Sequence, residues 1–148
     1  MTTQYWLVKS EPDTYSWDQF VRDGRSDWTG VRNYAARLHL KAMRPGDQVL
    51  YYHSNEGKAV VGLAQVSKPA FPDPTSDEPV KTTPLFDGWV AVELVPVAPL
   101  KTPVTLATIK EEPVLRNIAL IRQGRLSVMP LTPAEFNRIV KLGGRGKL

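Results

Sequence analysis

At 148 residues the chain has the length of one domain, 1–148, and its 42% hydrophobic residues suffice for a sizeable core. Cysteine is absent, which excludes disulfides, thiolate metal sites and cysteine nucleophiles, and His39 and His53 are not spaced like a metal pair. The formal net charge is +4, no apolar run reaches the about 18 residues of a membrane span, and MTTQYWLVKSEPD meets charge before a signal-like stretch forms; a cytoplasmic protein without metal, cofactor or membrane partner is expected.

In chain order, the aromatic and aliphatic run 5–8 predicts a buried strand, and the polar SEPDTYS after it a loop. Ser16 with Gln19 three residues on forms a capping-box pattern for a short helix over Trp17, Phe20 and Val21, which Gly24 ends. After DWTGVRN, a helix over 34–43 carries Tyr34, Leu38 and Ala42 on one face, with Arg37 and Lys41 elsewhere, and stops at RPGD. QVLYYH at 48–53 reads as a strand, SNEGK as a turn with Gly57 able to take a positive φ, and 59–66 as the paired strand. KPAFPDPTSDEPVKTTP is expected to be an exposed loop, and WVAVELVPV a strand. Pro103 introduces a short helix over 105–110, and a longer one over 113–123 carries Leu115, Ile118 and Ile121 or Arg122 on successive turns. A strand over 126–129 leads to the last helix, with Thr132 as N-cap, Pro133 in the first turn, Glu135 closing the box, and Phe136, Ile139 and Val140 facing the core. GGRGKL is a frayed basic tail. Strands with an antiparallel hairpin and interspersed helices give an α+β domain with a small curled sheet.

Four short stretches concentrate polar chemistry. KSEP places Lys9, Ser10 and Glu11 directly after a buried strand, able to meet a phosphate or a base edge; the alternative is a turn with Ser10 capping and Lys9 paired to Glu11. DWTGVRNY puts the rings of Trp28 and Tyr34, the amide of Asn33 and the guanidinium of Arg32 within seven positions, the set a flipped nucleobase needs for stacking and edge recognition. For Tyr34, helical spacing to Leu38 makes core burial an equal alternative. In YYHSN, strand alternation places Tyr51 and His53 on one face and Tyr52 and Ser54 on the other; His53 reads as a structural imidazole, Ser54 and Asn55 as freer to bind. RQGRLSV gathers Arg122, Gln123, Arg125 and Ser127 around Gly124, whose amide could approach a phosphate or which could be a helix C-cap.

Charge is uneven. From Arg116 on, Arg116, Arg122, Arg125, Arg138, Lys141, Arg145 and Lys147 face only Glu135, a local +6 that suits a phosphate backbone or, more blandly, solubility. Asp18, Asp23 and Asp27 do not form an acid and base pair by spacing, and neither a G-x-S-x-G nor a phosphate loop is present. The chemistry reads as recognition.

YWLVKSEPDTYSW, DWTGVRNYAAR, GDQVLYYHSN, VVGLAQV and RQGRLSVMPLT, in this order and over nearly the whole chain, resemble the EVE domain family. The resemblance implies a PUA-like fold, a small β-barrel decorated by helices, and a non-catalytic reader of a flipped, modified base, with modified cytosine in DNA favoured and RNA possible. Carried over position by position, it implies Ser10, Glu11, Trp28, Val31, Asn33, Tyr34, Tyr52, His53, Ser54 and Ser127 toward the base, and Lys9, Arg32, Arg122 and Arg125 toward phosphates. The chain departs from the family at NYAAR, where a glutamine is common in place of Ala35 or Ala36. An enzyme acting on modified nucleotides or bases, with Glu11 or an aspartate as base, and a small-molecule module using the same pocket are the rival readings.

Overall fold

In the computed structural model, which describes residues 3–76 and 88–144, β1 (Tyr5–Ser10) runs parallel to β3 (Gln48–His53) and antiparallel to β6 (Val128–Leu131). β4 (Ala59–Pro72) pairs with β3 as the expected hairpin, β5 (Val90–Thr105) pairs with β4, and the two-residue β2 (Ser26–Asp27) adds to β5. The sheet therefore has the order β2-β5-β4-β3-β1-β6. Its edges, β2 and β6, are not paired with each other among the described residues, so the small barrel expected from the resemblance is an open sheet. A strand as short as β2 offers too few ladder groups to close a barrel. Curl comes instead from the long β4 and β5, whose register shifts repeatedly along the pair, each shift adding bend and twist.

The two helices with a cap signal in the sequence, at Ser16 and Thr132, start where those signals place them. Ser16 Oγ accepts from the Gln19 amide at the start of α1 (Trp17–Asp23), and Gly24 ends it at φ 74°; the Gln19 side chain engages Asp23 and Arg22 rather than closing the box. Asn33 caps α2 (Tyr34–Ala42), Thr105 caps α3 (Leu106–Glu111), and Thr132 with Glu135 forms a complete capping box on α5 (Pro133–Leu142), which buries Phe136, Ile139 and Val140 as expected.

Several expectations are corrected. Val21 points outward while Trp17 and Phe20 are buried. On α2 the expected face is inverted: Ala36 and Leu40, with Met43 just beyond the helix, go inside, and Tyr34 and Leu38 are 67% and 61% exposed. Two apolar stripes share one helical period there, but Lys41 falls within the Tyr34 and Leu38 stripe and no charge interrupts the other. The helix expected over 113–123 is a 3-10 turn, Pro113–Leu115, then α4 (Ala119–Arg122), with Ile118 extended between them. A continuous helix would have put Ile118 and Leu120 on opposite sides; the break buries both together with Leu115. α4 is capped by Gln123, and Gly124 keeps a negative φ, so it is not a left-handed C-cap. The last strand lies at 128–131 rather than 126–129. The proline-rich segment continues β4 to Pro72, and its part from 77 onward, like Arg145 and Lys147 of the tail, lies outside the described residues.

The central strand β3 is buried on both faces, so Tyr51 and Tyr52 are both interior. Trp17 lies against the backbone of Gly62, where a Cβ would come within 2.5 Å of the indole; only glycine lets α1 press onto the sheet there. At the opposite end of β3, the buried Asp47 carboxylate accepts from the Gln4 and Arg44 amides and from Trp6 Nε1, joining β1 to the turn that ends α2.

Candidate functional site

A cavity of about 810 Å3 opens where β1 ends, between the segment 26–33 on one side and the loop before β6 on the other. Of the residues nominated from sequence, the fold brings Lys9, Ser10, Glu11, Trp28, Val31, Arg32, Asn33 and Ser127 to its walls. Thr14, Tyr15, Ser26, Asp27, Thr29 and Gly30 complete the lining.

Hydrogen bonds commit one end of the Asn33 and Ser10 side chains in the walls. Asn33 Oδ1 accepts the Ala36 amide as the α2 cap, which leaves its NH2 as a fixed donor. Ser10 Oγ donates to the Tyr15 carbonyl at 2.7 Å, which leaves the hydroxyl lone pairs as acceptors. Tyr51 Oη donates to the same carbonyl from beneath, and burial pushes its phenol up to about 12, so it stays a donor at any ordinary pH. Glu11 and Asp27 add carboxylate acceptors. Trp28 is 8% exposed and held edge-on between Tyr51, at 5.5 Å, and Tyr15, at 6.3 Å, while its amide donates to the Val92 carbonyl. The cavity thus combines aromatic and apolar surface with an oriented amide donor on Asn33 and several acceptors.

Two straps hold the rims. Lys9 donates its backbone amide to the Ser127 carbonyl and its ammonium to the Gly124 carbonyl at 2.7 Å, tying the Gly124 loop to β1; burial lowers the pKa of this lysine. Across the cavity, buried Asp73 accepts from the Gly30 amide, from Arg32 Nη1 at 2.9 Å, and from the amide and hydroxyl of Thr75. Burial alone would raise this carboxyl, but the hydrogen bonds from Thr75, Gly30 and Arg32 outweigh it and hold the pKa down at about 2. Arg32 is therefore a bound guanidinium with a half-exposed side chain, not an isolated cation. The sequence offered no sign of Asp73, which sits among prolines 41 residues from Arg32.

The other nominated residues lie elsewhere. Tyr34 is turned out of the cavity onto Trp89. Tyr52 is buried in β3, and His53 Nε2 accepts from the Trp17 amide at 3.0 Å, which requires neutral imidazole; burial lowers its pKa, against the opposing pull of Asp18. Ser54 donates its amide to the Ser10 carbonyl, so the β3 end holds the β1 end in place through backbone pairing. Arg122 bonds Asn117 and lines a separate cavity of about 670 Å3 with His39 and Thr132. Arg125 lies in the loop that Lys9 straps down, and Arg138 is paired to Glu112, so the basic segment is partly compensated. Among the described residues no cluster of three or more histidine, cysteine, aspartate or glutamate side chains could hold a metal, and no helix is long and apolar enough to cross a membrane.

Residues 4–142 match the family profile of the EVE domain. A protein from Rhodopseudomonas palustris, solved by NMR, is similar at 49% identity and a TM-score of 0.86, over 96% of this chain and 94% of that one. The human THYN1 protein, crystallised in complex with DNA containing 5-methylcytosine, is similar at 30% identity and a TM-score of 0.86, over 98% of this chain and 100% of that one. Human thymocyte nuclear protein 1 is 32% identical over 95% of this chain and 74% of its own length.

Proposed function

The chain belongs to the EVE domain family, and on that premise we propose that it is a non-catalytic reader of DNA that receives one flipped, modified cytosine in the cavity between Ser10 and Asn33. The observation that carries this reading is the fixed hydrogen-bond pattern of the walls. The Asn33 NH2 is a committed donor, suited to cytosine O2 or N3, and Ser10 Oγ with the Glu11 and Asp27 carboxylates supplies acceptors for the exocyclic N4 amine. Thymine or uracil would turn a carbonyl toward those acceptors and be disfavoured. Trp28 and Tyr15 supply the stacking surface, and Val31 an apolar contact for a 5-substituent. The THYN1 complex with 5-methylcytosine DNA adds weight, because its whole chain superposes on nearly all of this one. Flipping costs a few kcal/mol of stacking, so the cavity must return that much through contacts, and ordinary duplex should bind weakly. Lys9, Arg32 and Arg125 border the cavity or its rim loop and would steady the flanking phosphates.

The test is a titration of DNA oligonucleotides differing at a single cytosine, unmodified, 5-methylated or 5-hydroxymethylated, at low and physiological salt. Asn33→Asp keeps the helix cap but turns the donor into an acceptor, so it is expected to lose tenfold or more in affinity for the preferred form at unchanged stability. Equal, salt-sensitive binding of every form by the wild-type protein refutes the reading, as does turnover of the modified base, which would make the domain an enzyme.

A further inference from the structure

Outside the cavity, but joined to it, lies an aromatic surface. Tyr34 and Trp89 pack at a tilt of 33° with ring centroids 5.1 Å apart, and the Arg37 guanidinium stands 4.9 Å from the Tyr34 ring and 5.3 Å from the Trp89 ring. Groups on opposite faces of a ring would be nearly twice as far from each other as either is from the ring. Arg37 and Trp89 therefore lie on the same side of Tyr34 and leave its other face to solvent, consistent with the high exposure of this residue. Leu38, one turn further along α2, extends the exposed surface. Arg32 links the two regions: its guanidinium lies 5.5 Å from the Trp89 ring while the residue lines the cavity.

The exposed Tyr34 ring is held in place by an indole and a guanidinium, so it is presented to solvent in a fixed position. The core of α2 is already filled from the opposite face by Ala36 and Leu40. The Arg37 guanidinium over both rings disfavours a basic partner and favours a flat, electron-rich ring, and a nucleobase next to the one in the cavity supplies such a ring. The surface begins one residue after Asn33, at the mouth of the base cavity. Resting on the flipped-base reading, we propose that Tyr34 and Trp89, steadied by Arg32 and Arg37, form a second subsite that stacks the nucleobase adjacent to the one held in the cavity. The preferred ligand is then a splayed dinucleotide step rather than a lone base, and the domain tolerates any neighbouring base because every base has a π face.

The experiment is a double-mutant cycle on single-stranded DNA carrying one 5-methylcytosine. The nucleotide on its 5′ side, and separately on its 3′ side, is left intact or replaced by an abasic residue, and each strand is titrated with wild type and Tyr34→Ala. Removing the base on one side is expected to weaken wild-type binding about fivefold or more. Tyr34→Ala, which removes an exposed ring and so leaves the fold intact, is expected to lose the same factor and to become indifferent to the abasic substitution. Wild-type indifference to both abasic strands, or a Tyr34→Ala loss that persists in full on both of them, overturns the subsite while leaving the cavity reading standing. If Asn33→Asp has no effect and modification is not discriminated, the cavity reading fails instead, and the subsite with it. Sedimentation of both proteins without DNA completes the test: self-association lost in Tyr34→Ala would assign the surface to a second copy of this chain and overturn the proposal.

Discussion

Replacing Asp73 by asparagine keeps the shape of the side chain and removes the charge that anchors the Gly30 and Arg32 wall of the cavity. In the folded protein this carboxyl titrates at about 2 instead of the ordinary 3.8. A shift of nearly two units corresponds to about 2.5 kcal/mol of folded-state preference for the ionised form. Because the folded pKa is depressed, that stability is fully present above about pH 4 and is lost as the pH falls through 2. Asparagine also turns a donor toward at least one of the Gly30, Arg32 and Thr75 donors, so about 2.5 kcal/mol is the expected loss at pH 7. In a domain of this size that amounts to a drop in Tm of roughly 8 °C. Urea unfolding of both proteins from pH 7 to pH 3 checks the argument: the gap between them should shrink by about half at pH 3, as wild type loses what the variant never had. A gap that stays constant down to pH 3, or none at pH 7, refutes the assignment of the anchor to the Asp73 charge. DNA affinity should fall with the wall, and to a similar degree at pH 7 whether or not Thr75 is also replaced.

The neutral His53 gives a second signature on acidification, nearer neutral pH. Its folded pKa is lowered, so its contribution is present above the ordinary 6.5 and lost as the pH falls toward the folded value; thermal melts should show stability declining below about pH 6.5, with a shallower decline in His53→Gln, since His39 is shifted the same way and remains. Gly62→Ala drives a Cβ into the Trp17 ring at 2.5 Å and is expected to cost about 1–3 kcal/mol, seen as a lower Tm with altered tryptophan fluorescence. Gly124→Ala meets nothing within 4 Å at an ordinary φ, and should leave Tm unchanged or raise it slightly.

Local signals determined much of this protein. The caps at Ser16 and Thr132 were legible because their hydrogen bonding involves only neighbours in the chain, whereas the structure added Asn33 and Thr105 as caps. The hairpin from 48 to 66 was likewise legible as strand pattern, while the gathering of KSEP with DWTGVRN was implied by the family resemblance. The tertiary structure decided what depends on distant partners. Which of two apolar stripes on α2 faces inward rested on what the sheet presented to it, and that choice put Tyr34 outside the cavity and Asn33 at its edge. The break at Ile118, the parallel pairing of β1 with β3 and the open edge at β2 all follow from burial summed over many elements. Asp73 is the clearest case, because a carboxylate among prolines acquires meaning only when the fold carries Gly30, Arg32 and Thr75 around it. Sequence specifies the chemistry a chain carries; the long-range pairing of the strands determines which of those groups meet, since the loss of chain entropy in bringing them together is offset by the core and not by the groups themselves.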